Sequence, residues 1–409
     1  MNGLFQAGGP FGVLAAAWKA GKLGRCNAIF ISTIITIIGA ALQAGSSEVA
    51  PPDNRGLLGG LHGVSILIGY GLSTWIGYGL FFIKGTDTQW RVTHAIQIVP
   101  ALILGCGILF IPESPRWLVE NGRTQAANEV LHRIHKDAAD PDNNFTQQEF
   151  QQIQSPLAFE RTLPSSWKSI VTIPHYRKRA WIGMLTMFAG QFTGTLVINN
   201  SGPTLYASLG YGDGDTLLLS AGWITEGLFA NMLNAFLLDR VGRKWLMTAG
   251  LAGCVAALVR ECICLALFEG TSNKAGNSAA VFFLYLHLAI YGSCLDGSTY
   301  VFASEIWTPH LRAKGFTISV SGLFLGSLII RVSAPDGFAN IGWKFYLVMA
   351  IVTFINIFIF AFFSPETKGL PLEEIAVRFG DMVMDSSDVI DGEARSGASQ
   401  NAGSVEEKA

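Results

Sequence analysis

Ten stretches of about 20 mostly apolar residues recur along the chain. They lie near residues 2–18, 27–45, 57–83, 90–111, 180–200, 216–238, 245–268, 279–303, 315–333 and 343–363. A helix crosses the hydrocarbon core of a bilayer with roughly 20 such residues. In lipid the backbone must satisfy its own polar groups, and runs of this length and uniformity select the helix. The chain is therefore expected to be an all-α polytopic membrane protein with the bilayer as its solvent. Charge agrees, since 14% of the 409 residues are Asp, Glu, Lys or Arg, against about 25% in soluble domains. A net charge of -2 gives no basis for nucleic-acid binding. The N-terminus lacks a basic region ahead of its apolar stretch, so no cleavable signal peptide is expected. The cysteines sit almost entirely inside apolar runs without metal-ligand spacing, as small buried hydrophobes do. No nucleophile–base pattern or metal cluster stands out, so neither enzymatic chemistry nor a cofactor is expected.

The polar segments set the domain organisation. Residues 1–111 are expected to form an N-terminal bundle of about four helices, and 180–364 a C-terminal bundle of six. Between them, 112–179 reads as a central loop rich in Arg and Lys, among them Arg116, Arg123, Arg133, Lys168 and Arg177. Positive charge near span ends marks the cytoplasmic face. Arg240, Arg243, Lys244, Arg312 and Lys314 lie an even number of crossings away and share that face. Residues 365–409 read as a cytoplasmic tail, mostly disordered from about Arg378 onward. The sequon Asn144-Phe-Thr146 in the central loop reports on this orientation.

The two halves echo each other, as transporter halves do. Lys22-Leu-Gly-Arg25 resembles Arg240-Val-Gly-Arg243, and Glu48 and Arg55 have the same spacing as Glu305 and Arg312. Pro112-Glu113 resembles Pro365-Glu366. One interval breaks the symmetry: Arg25 to Glu48 is 23 residues, whereas Arg243 to Glu305 is 62. The second half fits two spans there and the first fits one. By its own symmetry the first half is expected to lack counterparts of the first and fourth helices.

Asp239-Arg-Val-Gly-Arg-Lys244, Pro112-Glu-Ser-Pro-Arg-Trp-Leu118, Pro365-Glu-Thr-Lys-Gly369, Gln191-Phe-Thr-Gly194 and the Glu305–Gly315 segment occur in one order along nearly the whole chain. Together they resemble the sugar porter family of the major facilitator superfamily, with details such as Cys294-Leu-Asp296-Gly similar to a fungal branch. The resemblance implies two helical bundles, a central solute site and alternating access, with a sugar-like small molecule and the lipid bilayer as partners and protons as a coupling ion. It also implies a plasma-membrane location. By the same resemblance Gln191 occupies a sugar-contacting position, and Asn199, Asn200, Asp296 and Tyr300 are further candidates. Gly63 stands where a fifth-helix Gln is common, and Gly190 and Leu196 replace other polar positions.

The short charged loops are expected to form a cytoplasmic gate. Asp239, Arg243, Glu305, Arg312 and Glu366 in the second half would face Glu48, Arg55, Glu113 and Arg116 in the first. Ionisable residues inside spans are costly and informative, and Glu226, Arg260, Glu261 and Asp296 are such residues. Two other readings stay open. One is a non-transporting nutrient sensor, and the other is a truncated or degenerate homologue without transport activity.

Overall fold

The computed structural model describes residues 55–83, 112–134, 161–268, 273–370 and 372–380, with isolated positions between them and side chains from residue 63 onward. The spans expected near 2–18, 27–45 and 90–111, and with them the count of helices in the first half, lie outside the described residues. Every extended element that is described is helical, and no strand occurs among them.

In chain order the helices are α1 (Arg55–Phe81), α2 (Pro115–Glu120), α3 (Thr124–Ile134), α4 (Trp167–Thr172), α5 (Pro174–Gln191), α6 (Thr195–Ser208) and α7 (Asp213–Val241). Then follow α8 (Arg243–Phe268), α9 (Lys274–Tyr291), a π-helical turn (Gly292–Asp296) and α10 (Gly297–Glu305). A 3-10 turn (Pro309–Leu311) leads to α11 (Arg312–Ile341), α12 (Lys344–Phe363) and α13 (Leu372–Phe379). Six segments among the described residues are long and apolar enough to span a membrane: Gly63–Phe81, Pro174–Ser208, Arg243–Phe268, Lys274–Glu305, Arg312–Ile341 and Lys344–Phe363. Helix α7 has the length, with 29 residues. It is more polar because Asn231 and Asn234 are buried along it against the π-helical turn.

Small residues let these helices approach closely, which is the main way packing is strengthened where lipid already solvates apolar surface. Helix α11 crosses α5 at Gly322 and Gly326, four residues apart. A Cβ at Gly322 would lie 2.2 Å from the Met184 carbonyl oxygen, and one at Gly326 would lie 3.2 Å from that of Phe188. Helix α1 runs antiparallel along α7, with Gly63 against Asn231, Gly71 against Ile224 and Phe81 against Gly214. Trp75 Nε1 donates to Thr225 Oγ1 at 2.9 Å across the same contact. The outer faces stay apolar and exposed: Leu347, Ile351, Phe354, Phe358 and Phe362 on α12 form such a face. A face of that size belongs against lipid tails rather than water.

The central segment is more than the loop expected of it, and the tail is helical up to about the point where disorder was expected. Helices α2 and α3 bury Trp117, Leu118, Val119 and Ala127 against Leu157, and Arg161 Nη2 donates to the Glu120 carbonyl at 2.8 Å. Along α3, Ala127, Val130 and Leu131 recur at helical spacing, a signal that the high charge of the segment obscures. The tail begins ordered as well. Ile375 and Phe379 of α13 pack with Ile170, Tyr176 and Trp307, and the Arg179 guanidinium lies 4.6 Å from the centre of the Phe379 ring. Residues 381–409 lie outside the described residues.

Candidate functional site: a broken helix, a π turn and a buried charge network

The span Pro174–Ser208 is not continuous. It breaks after Gln191, and Gly194 adopts φ +90 before α6 begins. Only glycine takes that conformation cheaply. A break inside a membrane exposes backbone carbonyls that cost several kcal/mol each if unsatisfied. Hydroxyls answer two of them: Thr193 Oγ1 donates to the Gly190 carbonyl at 2.8 Å, and Thr353 Oγ1 to that of Phe192 at 2.9 Å. The break therefore persists as built architecture. Interrupted helices of this kind place polar groups at mid-membrane depth.

Gln191 sits at the edge of the break, where its Oε1 accepts from Ser327 Oγ of α11 at 2.9 Å. Asn199 and Asn200 are exposed one helical face further on. Asn200 Nδ2 donates to the Leu196 carbonyl at 2.6 Å, and its Oδ1 accepts from Arg331 Nη1 at 3.0 Å. Asn200 lines a cavity of about 490 Å³ between α6, α11 and the start of α12, with Ser201, Thr204, Arg331, Trp343 and Tyr346 among its walls.

Asp296 and Tyr300 stand elsewhere, on the α7–α10 side. Asp296 closes the π-helical turn, and its Oδ2 accepts from Asn231 Nδ2 at 2.9 Å. The wider turn brings Ser293 and Ser298 to Asn234, which donates to the Ser293 carbonyl at 2.8 Å and to Ser298 Oγ at 2.9 Å. Single-turn π bulges of this kind recur at functional sites. Tyr300, one turn beyond Asp296, packs with Met187, Ala303 and Val320. Of the five candidate solute ligands, only Asn200 lines the cavity. Motif and spacing do not single out Ser327, Arg331 or Asn231. Arg331 carries a signal in the sequence, as a cation inside an apolar run. Ser327 and Asn231 carry none, because their roles come from the helices opposite.

Gly63 also gains a physical meaning. A Cβ there would lie 2.6 Å from Asn231 Oδ1 and 3.7 Å from the Gly297 Cα. The amide of Asn231 fills the space that a side chain at 63 would need. The two adjacent ionisable residues of α8 diverge, with Arg260 exposed and Glu261 buried.

The signature motifs converge at the opposite end of these helices. Arg243 Nη2 donates to Glu305 Oε1 at 2.8 Å and its Nε to Oε2 at 3.1 Å. Both side chains are about 5% exposed. Arg243 Nη1 also reaches Asp239 Oδ1 at 3.2 Å, and Thr367 Oγ1 donates to Glu305 Oε2 at 2.7 Å. Glu366 caps α8, accepting from the backbone of Arg243 at 2.9 Å and of Lys244 at 3.1 Å. A carboxylate at a helix N-terminus meets the positive end of the helix dipole. Gly242 makes this possible: its φ is +100, and a Cβ would approach Glu366 Oε2 to 2.9 Å.

The network thus gathers Asp239, Arg243, Glu305 and Glu366 within the second half. Arg312 is buried at the start of α11. Glu113 and Arg116 lie on the approach to α2 and in its first turn. Glu48 and the side chain of Arg55 lie outside the described residues.

Arg116 is near enough to His310 to influence its protonation. His310 lies between α10 and α11, with its Nε2 3.2 Å from Tyr176 Oη. Burial, then the charges of Arg179, Lys314 and Arg116, lower its pKa from 6.5 to about 4. A folded-state pKa below the unfolded one means that the unfolded chain binds more protons between them. Stability contributed by this group is therefore lost as pH falls from about 6.5 towards 4. The His310→Gln variant is expected to lose less stability over that interval than the parent, read as melting temperature against pH.

Comparison with known proteins follows the same architecture. The profile of the family described as "Sugar (and other) transporter" matches residues 45–379. The MFS-type transporter criB of Aspergillus cristatus is 30% identical over 412 residues, covering 92% of this chain and 83% of that protein. The quinate permease of Emericella nidulans is 29% identical, covering 92% of this chain and 79% of its own length. A solved structure of the proton:xylose symporter XylE, bound to 6-bromo-6-deoxy-D-glucose, superposes with a TM-score of 0.76 at 19% identity, covering 91% of this chain and 87% of that one. The fold is therefore that of the major facilitator superfamily, and the relatives are transporters rather than enzymes. With apolar helices in series and a family match over most of its length, this multi-pass membrane protein belongs to the sugar (and other) transporter family, whose members carry small solutes across membranes.

Proposed function

We propose that the chain moves a small polyhydroxylated solute, a monosaccharide, polyol or related molecule such as quinate, by alternating access. The observation that carries this reading is the broken α5–α6 span. It holds the amides of Gln191 and Asn200 against α11, beside a cavity of about 490 Å³. Cavities of ≈ 300–1,000 Å³ suit small-molecule ligands. Amide and hydroxyl groups match solute hydroxyls, and Trp343 and Tyr346 offer flat faces to the apolar side of a ring. In this reading Asp296 and Tyr300 contribute from the α10 side, and the Arg243–Glu305 network closes the cytoplasmic end together with residues of the first half. The central segment and C-terminus face the cytoplasm at the plasma membrane, and protons are a coupling ion.

The purified chain in proteoliposomes tests this reading. Saturable uptake of labelled glucose, xylitol or quinate is expected, with Gln191→Ala raising the half-saturating concentration about tenfold, the equivalent of one good hydrogen bond. An imposed proton gradient should accelerate uptake. Absence of saturable uptake for the whole panel would favour the non-transporting homologue, the second reading. That reading rests on the 23-residue interval between Arg25 and Glu48, against 62 in the other half. Glycan attachment at Asn144 during expression in a eukaryotic cell would place the central segment on the lumenal side and reverse the orientation.

A further inference from the structure

Arg331 lies 19 residues into α11, inside a segment apolar enough to span the membrane. It stands two residues before the end of the apolar run 315–333, so its stem can carry the charge towards water. What singles Arg331 out is therefore its surroundings rather than its depth. Its described partner is a neutral amide, since Nη1 donates to Asn200 Oδ1 at 3.0 Å. Its buried Nε has no hydrogen-bond partner among the described residues. The cavity that it lines contains no Asp or Glu among its described walls, so the guanidinium charge is not neutralised there. The remaining polar side-chain groups are the Ser201, Thr204, Ser208 and Tyr346 hydroxyls and the Trp343 indole N–H.

The helices on either side are interrupted in a matching way. Pro203 stands inside α6 and Pro335 inside α11. A proline has no N–H to donate to the carbonyl four residues earlier. The carbonyls of Asn199 and Arg331 are thereby released from the helix ladders as acceptors. Ser327, the partner of Gln191, precedes Arg331 by four residues on the same face of α11, about 6 Å along the axis. A single small solute spans that distance.

We propose that Arg331, with Asn200 and the surrounding hydroxyls, is a subsite for the carboxylate of a polyhydroxylated organic acid. The transported solute is then an anion rather than a neutral sugar. Guanidinium is the side chain suited to this task, because its planar fork bonds both carboxylate oxygens at once. Released carbonyls and hydroxyls would accept and donate to the solute's own hydroxyl groups. The subsite rests on the reading of this cavity as the solute site.

D-gluconate and D-glucitol test it, because they share a polyol chain and differ in a carboxylate against a hydroxymethyl group. Binding to the purified full chain in detergent, read by thermal shift and calorimetry, is expected to favour gluconate at least tenfold. Arg331→Gln should bring gluconate down to the level of glucitol, and Arg331→Lys should keep part of the preference. Gln191→Ala should weaken both ligands together. Where Arg331→Gln does not yield folded protein, the partial preference of Arg331→Lys and the parent's selectivity decide. Equal binding of the two polyols, or gluconate binding untouched by Arg331→Gln, would overturn the subsite while leaving the solute cavity standing. Binding of neither ligand would overturn the subsite and the cavity reading together.

Discussion

Replacing Glu305 by Gln is expected to reduce solute turnover per molecule more than tenfold, with a smaller change in half-saturating concentration. The same substitution should lower stability by about 3–5 kcal/mol, because Arg243 is then a buried charge whose main counter-charge is gone. The geometry makes the effect large. The pair is bidentate, about 5% exposed on both sides, and tied to Asp239 and Thr367. A fully exposed pair would be worth less than about 1 kcal/mol. Fold and gate are separated by a second variant, Arg243→Met with Glu305→Leu. Apolar replacement of both partners should recover most of the melting temperature, yet leave turnover low if the charges hold one conformational state. The measurement is transport normalised to purified protein, beside thermal melts of the same samples. Full turnover in the apolar double variant would make the network a structural clamp and nothing more.

Filling the space at Gly63 should produce the second large effect. In Gly63→Gln the new side chain meets Asn231, whose Oδ1 is 2.6 Å from where a Cβ would stand. Overpacking of this kind costs about 1–3 kcal/mol. The partner change, Asn231→Ala, removes the amide that donates to Asp296 Oδ2. Losing a hydrogen bond to a charged group costs about 1.5–3 kcal/mol. The two changes made together should cost less than their sum by about 1–3 kcal/mol. The introduced glutamine then has room and offers its own amide to Asp296. Melting temperatures of the four proteins close this double-mutant cycle. Transport should follow the same order, since the contact of α1 with α7 joins the two halves. Additive losses would show that Gly63, Asn231 and Asp296 do not share one packing problem.

The class of this protein was legible in the apolar runs, because the bilayer sets a helix length that local composition alone satisfies. The charged motifs were equally legible as a set, from their order and their repetition in the two halves. Their pairing was not. Glu305 and Arg312 share a spacing with Glu48 and Arg55, which pointed to partners across the two halves. Within the second half the folded chain brings Arg243 onto Glu305 from 62 residues away, and Glu366 onto the start of α8. Spacing along a chain fixes which residues share one helix face, and these partners lie on different helices.

The candidate solute site divides along the same line. Gln191 could be named from its motif, and Asn200 from its place beside it. Ser327, Asn231 and the cavity around Arg331 could not, since each depends on which helix crosses which. Those crossings are set where small residues such as Gly322, Gly326 and Gly63 allow close approach. The sequence by itself determined a helical membrane protein with charged motifs repeated in its two halves. Only the tertiary structure decided which charges neutralise each other and which cation is left facing a cavity, because burial and partnership are properties of packed helices rather than of any one of them.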